Sequence, residues 1–113
     1  MTAPRFLNQL RDAPRRRSVA GQARARHESR VAAILERIRE IPPGRVQTYG
    51  DIDPDAPRLV GRILATTHER NLPWHRVVRA DGTFAKGKVQ RELLTKEGVA
   101  MRGNRVDLEK ARA

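Results

Sequence analysis

The residue best equipped for covalent chemistry is His75, set in the run Pro73-Trp74-His75-Arg76-Val77-Val78. An imidazole holding a water could serve as a general base. That is a thin basis for an enzyme, because no Ser/His/Asp pattern, metal-ligating triad or phosphate-cradling loop accompanies it. The sequence contains no cysteine, which removes disulfides, thiolate metal sites and any thiolate nucleophile. Trp74, beside His75, has no ionisable proton and no nucleophilic lone pair. No cofactor and no metal ion is expected. Binding chemistry is far better represented. Lys and Arg number 24 against 13 Asp and Glu, a net charge of +11. Such a surface fits a polyanion, most often nucleic acid and less often an anionic membrane face. Arginine supplies most of the charge, since the lysines are Lys86, Lys88, Lys96 and Lys110 alone. Guanidinium groups fork onto phosphates and guanine edges and stack on bases. A GC-rich genome would produce the same Arg-over-Lys choice, though not the net charge.

The elements that must position these groups follow from pattern. A chain of 113 residues has room for one small domain, and with 38% hydrophobic and 4% aromatic residues its core rests on Val, Ile, Leu and Ala. Residues 1–26 read as a basic, disordered arm that could add salt-sensitive phosphate contacts or simply stay solvated. Residues 27–113 form the domain. Val31, Ile34, Leu35, Ile38 and Ile41 recur at helical spacing from about Glu28, and Pro42-Pro43-Gly44 stops the helix. Arg58 to about Thr67 predicts a second helix with Leu59, Val60 and Ile63 inward. His75–Arg79 and Thr83–Ala85 around Ala80-Asp81-Gly82 predict a short hairpin. Gln90–Glu97 predicts a helix with Val89, Leu93 and Leu94 on one side and Gly98 as a left-handed cap. Val99–Met101 and Arg105–Leu108 predict a second hairpin around Gly103-Asn104. The fold class is mainly α with small β hairpins, a helix-turn-helix or winged-helix-like DNA-binding domain. No apolar run is long enough to span a membrane, and the N-terminus lacks the apolar stretch of a secretory signal. A cytoplasmic monomer is expected, associated with the nucleoid if the source is bacterial.

Five blocks occur in one fixed order: IPPGRVQTYGDI, RLVGRIL, LPWHRVV, ADGTF and QRELLTKEGV. In that order the chain resembles the DNA-binding domain of O6-alkylguanine-DNA alkyltransferases, over about residues 28–108. Those enzymes carry a reactive cysteine in a Pro-Cys-His-Arg-Val box, where this sequence has Pro73-Trp74-His75-Arg76-Val77. Tryptophan cannot accept an alkyl group by that route, so cysteine-mediated transfer is excluded by chemistry. The Trp-for-Cys box is similar to the alkyltransferase-like proteins, which bind the same lesions and flag them for nucleotide excision repair.

The resemblance implies roles for individual residues. Tyr49 would press on the 3′ phosphate of the target nucleotide and help rotate it out; a tyrosine packed on the helices is the plain alternative. Arg58 would enter the base stack as a finger, or is one more exposed arginine at a helix start. Gly61, with Val60, would let the helix approach DNA closely. Trp74, Val77 and Val78 would line the alkyl-accepting pocket, with Thr83 and Phe84 on the loop that closes over it. His75, Arg76 and Glu97 belong in the active enzymes to a proton relay with its buttress; with nothing to activate, they are expected to be structural. Only GDIDPDAP separates Tyr49 from Arg58, so the first helix of the helix-turn-helix is shortened, and two acids stand near the DNA face.

The function implied is non-enzymatic recognition of O6-alkylguanine in duplex DNA by base flipping, with repair proteins as partners. Two other readings remain: a basic structural or regulatory DNA-binding protein without lesion preference, and an enzyme using His75 with a water.

Overall fold

The computed structural model describes residues 19–113. Much of the expected arm therefore lies outside the described residues, but Val19–Arg26 does not, and it is helical. Helix α1 runs Val19–Arg39, starting well before Glu28. Ala20, Gln22, Ala23, Arg24, Ala25 and Arg26 are strong helix formers, so this stretch is helical although it is mostly exposed. The chain divides into two compact units, one ending at Val31 and the other running Ala32–Ala113. Every candidate site residue belongs to the second unit.

Ile34, Ile38 and Ile41 are at most 2% exposed, so the helical periodicity read from sequence marks the face that is buried. Each contributes about 2 kcal/mol of apolar burial. Pro42-Pro43 then breaks the helix, and Gly44 turns the chain at φ +85°. Strand β1 (Gln47–Thr48) leads directly into a four-residue helix, α2 (Tyr49–Ile52). Helix α3 (Pro57–Thr66) follows with Pro57 in its first turn, where a fixed φ and a missing N–H cost nothing. The shortened first helix is thus present as a single turn. Its brevity has a cause: Asp53 is 5% exposed, and its carboxylate accepts the Asp55 N–H at 3.1 Å. One of the two acids expected near the DNA face is therefore turned inward, where it shapes the α2–α3 turn.

The first expected hairpin does not form. Trp74–Arg76 is a 3₁₀ turn, and strand β2 (Val77–Val78) pairs in parallel with β1, Gln47 opposite Val77 and Thr48 opposite Val78. The Ala80-Asp81-Gly82 turn is real, closed by Gly82 N–H to Arg79 O at 2.8 Å and Arg79 N–H to Thr83 O at 3.0 Å. Alternation at period two marks a strand without naming its partner, and here the two buried valines pair with β1. Gly82 is required where it stands: at φ +85° a Cβ would lie 2.6 Å from Val106 O.

Helix α4 spans Gly87–Lys96. Leu94 is fully buried, but Val89 is 60% exposed, against the expectation that it faces inward. Gly98 adopts φ +78°, and Val99 N–H reaches Leu94 O at 3.1 Å, the expected left-handed termination. Strands β3 (Met101–Arg102) and β4 (Arg105–Val106) form the second hairpin. A short helix, α5 (Leu108–Ala111), brings the C-terminus back to β1 through Val46 N–H to Ala111 O and Ala113 N–H to Val46 O. Val46, Val78, Leu94, Val99, Val106 and Ala111 form one core cluster beneath these elements.

Candidate functional site

Local chemistry at the end of β1 fixes Tyr49. Thr48 Oγ1 accepts the Asp51 N–H at 3.1 Å, and Asp51 Oδ2 accepts the Thr48 N–H at 3.0 Å. This reciprocal cap starts α2 at Tyr49. The Tyr49 ring then faces α3, where a Cβ on Gly61 would lie 3.8 Å from Tyr49 Cε1. That is ordinary contact. Gly61 is therefore not forced by packing within the protein, and its bareness leaves surface open.

Trp74 lies on the 3₁₀ turn opposite, edge-on to His75 with ring centroids 5.9 Å apart at 82°. Tyr49, Gly61, Trp74 and Val77 line one cavity of about 530 Å³, a size suited to a small planar ligand. The structure thus brings together four of the residues singled out from sequence. Leu64 and Ala65 of α3, Ala85 and Lys86 just before α4, and Val89 and Gln90 within it complete its wall. The exposure of Val89 belongs to this wall.

Val78, expected to line the cavity, is elsewhere, and Thr83 and Phe84, expected on the loop closing over it, do not form its wall. Val78 is fully buried in the core cluster, because successive residues of a strand face opposite ways and Val77 takes the cavity side. Phe84 packs against the same cluster. Thr83 is occupied with Asp81, its hydroxyl at 2.6 Å and its N–H at 3.0 Å from Oδ1. Both stand on the stretch that leads into Ala85 and Lys86 of the cavity wall. Arg58 is exposed at the start of α3 and does not line the cavity.

His75, Arg76 and Glu97 do meet. Arg76 Nε and Nη2 donate to Glu97 Oε1 and Oε2 at 3.0 and 2.7 Å, and Arg76 Nη1 donates to Ile41 O at 2.8 Å. His75 Nε2 lies 3.0 Å from Glu97 Oε2. Arg76 foremost, with His75 adding, holds the Glu97 carboxyl down at about 2 against the opposing push of burial. The cluster pins the α1 terminus, the 3₁₀ turn and the end of α4 to one another. Sequence reading missed Gln90, which is 1% exposed. Its Nε2 donates to His75 O at 3.0 Å and Val77 O at 2.7 Å, and its Oε1 accepts the Lys86 N–H at 3.1 Å. A lone amide on the inner side of α4 was the available signal.

Burial raises the Tyr49 phenol above its ordinary value, while the positive charge of Arg79 pulls the other way. The site therefore offers an apolar, indole-walled cavity with a protonated phenol at its edge and cations around it. Among the described residues, no group of three or more His, Cys, Asp or Glu could hold a metal ion.

The family model of the 6-O-methylguanine DNA methyltransferase DNA-binding domain matches residues 29–99. The chain belongs to this family. Alkyltransferase-like protein 1 of Schizosaccharomyces pombe is 36% identical over 78 residues, 58% of this chain and 72% of that protein. The DNA base-flipping protein of Escherichia coli is 38% identical over 90 residues, 70% of each. The crystal structure of S. pombe Atl1 in complex with damaged DNA containing O6-carboxymethylguanine superposes with a TM-score of 0.65 at 28% identity, over 76% of this chain and 95% of that one. The mostly helical fold with small strands is the fold of this family's DNA-binding domain. Trp74 occupies the box in which the family's enzymes carry cysteine, and none of the 113 residues is a cysteine, so alkyl transfer to a thiolate is closed to this chain.

Proposed function

We propose that this protein recognises O6-alkylguanine in duplex DNA, draws the modified base out of the stack into the Tyr49–Trp74 cavity, and leaves the alkyl group in place. The observation that carries this reading is the cavity itself: an apolar chamber of about 530 Å³ walled by Trp74, Val77 and Gly61 with Tyr49 at its edge. An alkylated guanine fits such a wall through dispersion and stacking on the indole. Unpairing costs a few kcal/mol, and less at a damaged pair, which favours lesions over intact guanine. The net charge of +11 supplies affinity for the duplex whatever its sequence. The names of the relatives, alkyltransferase-like and base-flipping, agree with this reading. In this reading Arg58 fills the vacated stack, an assignment supported by its exposure at the start of α3. Without a transfer step, the bound complex acts as a flag for nucleotide excision repair, formed by one copy of the chain.

Trp74 is the sole tryptophan and provides the test. Stacking of a base against the indole quenches its emission. Titration with a duplex holding one O6-methylguanine is expected to quench Trp74 well beyond the same duplex with guanine. Equal quenching by the two duplexes overturns the reading.

A further inference from the structure

The lesion-binding reading gives no task to Arg79, a cation close to the cavity-lining Tyr49. Strands β1 and β2 run parallel, Thr48 opposite Val78, so the next residue on each, Tyr49 and Arg79, leaves the sheet at the same end. Tyr49 turns into α2 and lines the cavity. Arg79 turns into the tight loop, its backbone fixed by bonds to Thr83 O and from Gly82 N–H. Its positive charge lies close enough to act on the Tyr49 phenol. Arg79 is exposed. Asp81, the acid on the same loop, is engaged by Thr83, and among the described residues no ion pair to Arg79 is found.

An apolar cavity can accept a base but not the phosphates attached to its sugar, which must remain at the mouth. The protonated phenol of Tyr49 and a guanidinium fork from the neighbouring Arg79 both match phosphate oxygens. Because each residue extends from the end of one two-stranded sheet, their spacing is set before DNA arrives. We propose that Arg79 and Tyr49 form a two-point clamp on one phosphodiester flanking the nucleotide whose base enters the cavity. Arg79 supplies charge and a bidentate grip, and Tyr49 supplies bulk and one hydroxyl. The clamp rests on the lesion-binding reading of the same cavity, and what it adds is Arg79 as a second, charged partner for the phosphate already ascribed to Tyr49.

The test uses the full chain, its Arg79→Ala and Arg79→Lys variants, and duplexes with one O6-methylguanine. In separate duplexes, a neutral methylphosphonate replaces the phosphate on one side or the other of the lesion. At one of these positions the unmodified protein is expected to lose affinity on the order of tenfold. Arg79→Ala is expected to lose most of that sensitivity, keeping only what the Tyr49 hydroxyl contributes, and Arg79→Lys is expected to be intermediate. The slope of log affinity against log salt should fall by about 0.9 in Arg79→Ala, one phosphate contact. A methylphosphonate penalty equal in all three proteins, or absent from all, overturns the clamp while leaving lesion binding intact. A wild-type protein without lesion preference overturns the cavity reading and the clamp together.

Discussion

Replacing Glu97 by Gln tests whether the His75–Arg76–Glu97 cluster is scaffolding. In the folded protein its carboxyl titrates at about 2 rather than the ordinary 4.5. A drop of that size is worth about 3 kcal/mol in linkage. The side chain is 20% exposed, so solvent screening trims the expected contribution to about 2 kcal/mol. Because the folded-state value is depressed, this stability is fully present above about pH 4.5 and is lost as pH falls toward about 2. Glu97→Gln keeps the shape but removes the charge opposite Arg76. Urea melts near pH 7 should show it less stable by about 2 kcal/mol, and the gap should close across that acidic window. Its lesion preference, measured where it is folded, should persist. A gap that stays constant down to about pH 2, or no gap at neutral pH, would refute the electrostatic reasoning.

Further substitutions separate support from recognition. Gly61→Ala places a methyl in ordinary contact with Tyr49, 3.8 Å from Cε1, within a helix. Thermal melts should show stabilisation of roughly 0.5–1 kcal/mol, while DNA binding weakens because the face toward DNA is no longer bare. Gln90→Leu removes three hydrogen bonds, to His75 O, Val77 O and from Lys86 N–H. Chemical denaturation should show a loss of about 2–3 kcal/mol. Arg58→Ala, at an exposed position, should change stability by less than about 0.5 kcal/mol yet lower the preference for alkylated over plain duplex. Unchanged preference there removes Arg58 from the flipping step.

The sequence was most legible where one residue type had one physical consequence. Helical spacing of Ile34, Ile38 and Ile41 identified a buried face, and Gly98 identified a left-handed helix end. GDIDPDAP was too short and too rich in proline for a full helix, and α2 is indeed one turn. The box around Trp74 led to the cavity wall because the change from Cys to Trp is itself chemical. Long-range pairing, by contrast, leaves no mark in a local pattern. Val77 and Val78 read as half of a hairpin, but their partner is thirty residues upstream in β1, and that pairing sends Val78 into the core rather than the cavity. Charge obscured the start of α1: Val19–Arg26 read as part of a solvated arm although its helix propensity is high. Gln90 offered only its place on the inner side of α4, because its three partners are backbone groups, which no side-chain pattern records.

The central claim is tested most directly by equilibrium binding to duplexes identical except for one O6-methylguanine in place of guanine, at near-physiological salt. Clearly tighter binding to the alkylated duplex is predicted, with the methyl group still on the base when the DNA is recovered. Equal affinity for the two duplexes would contradict lesion recognition and leave a basic DNA-binding protein whose cavity does not read damage.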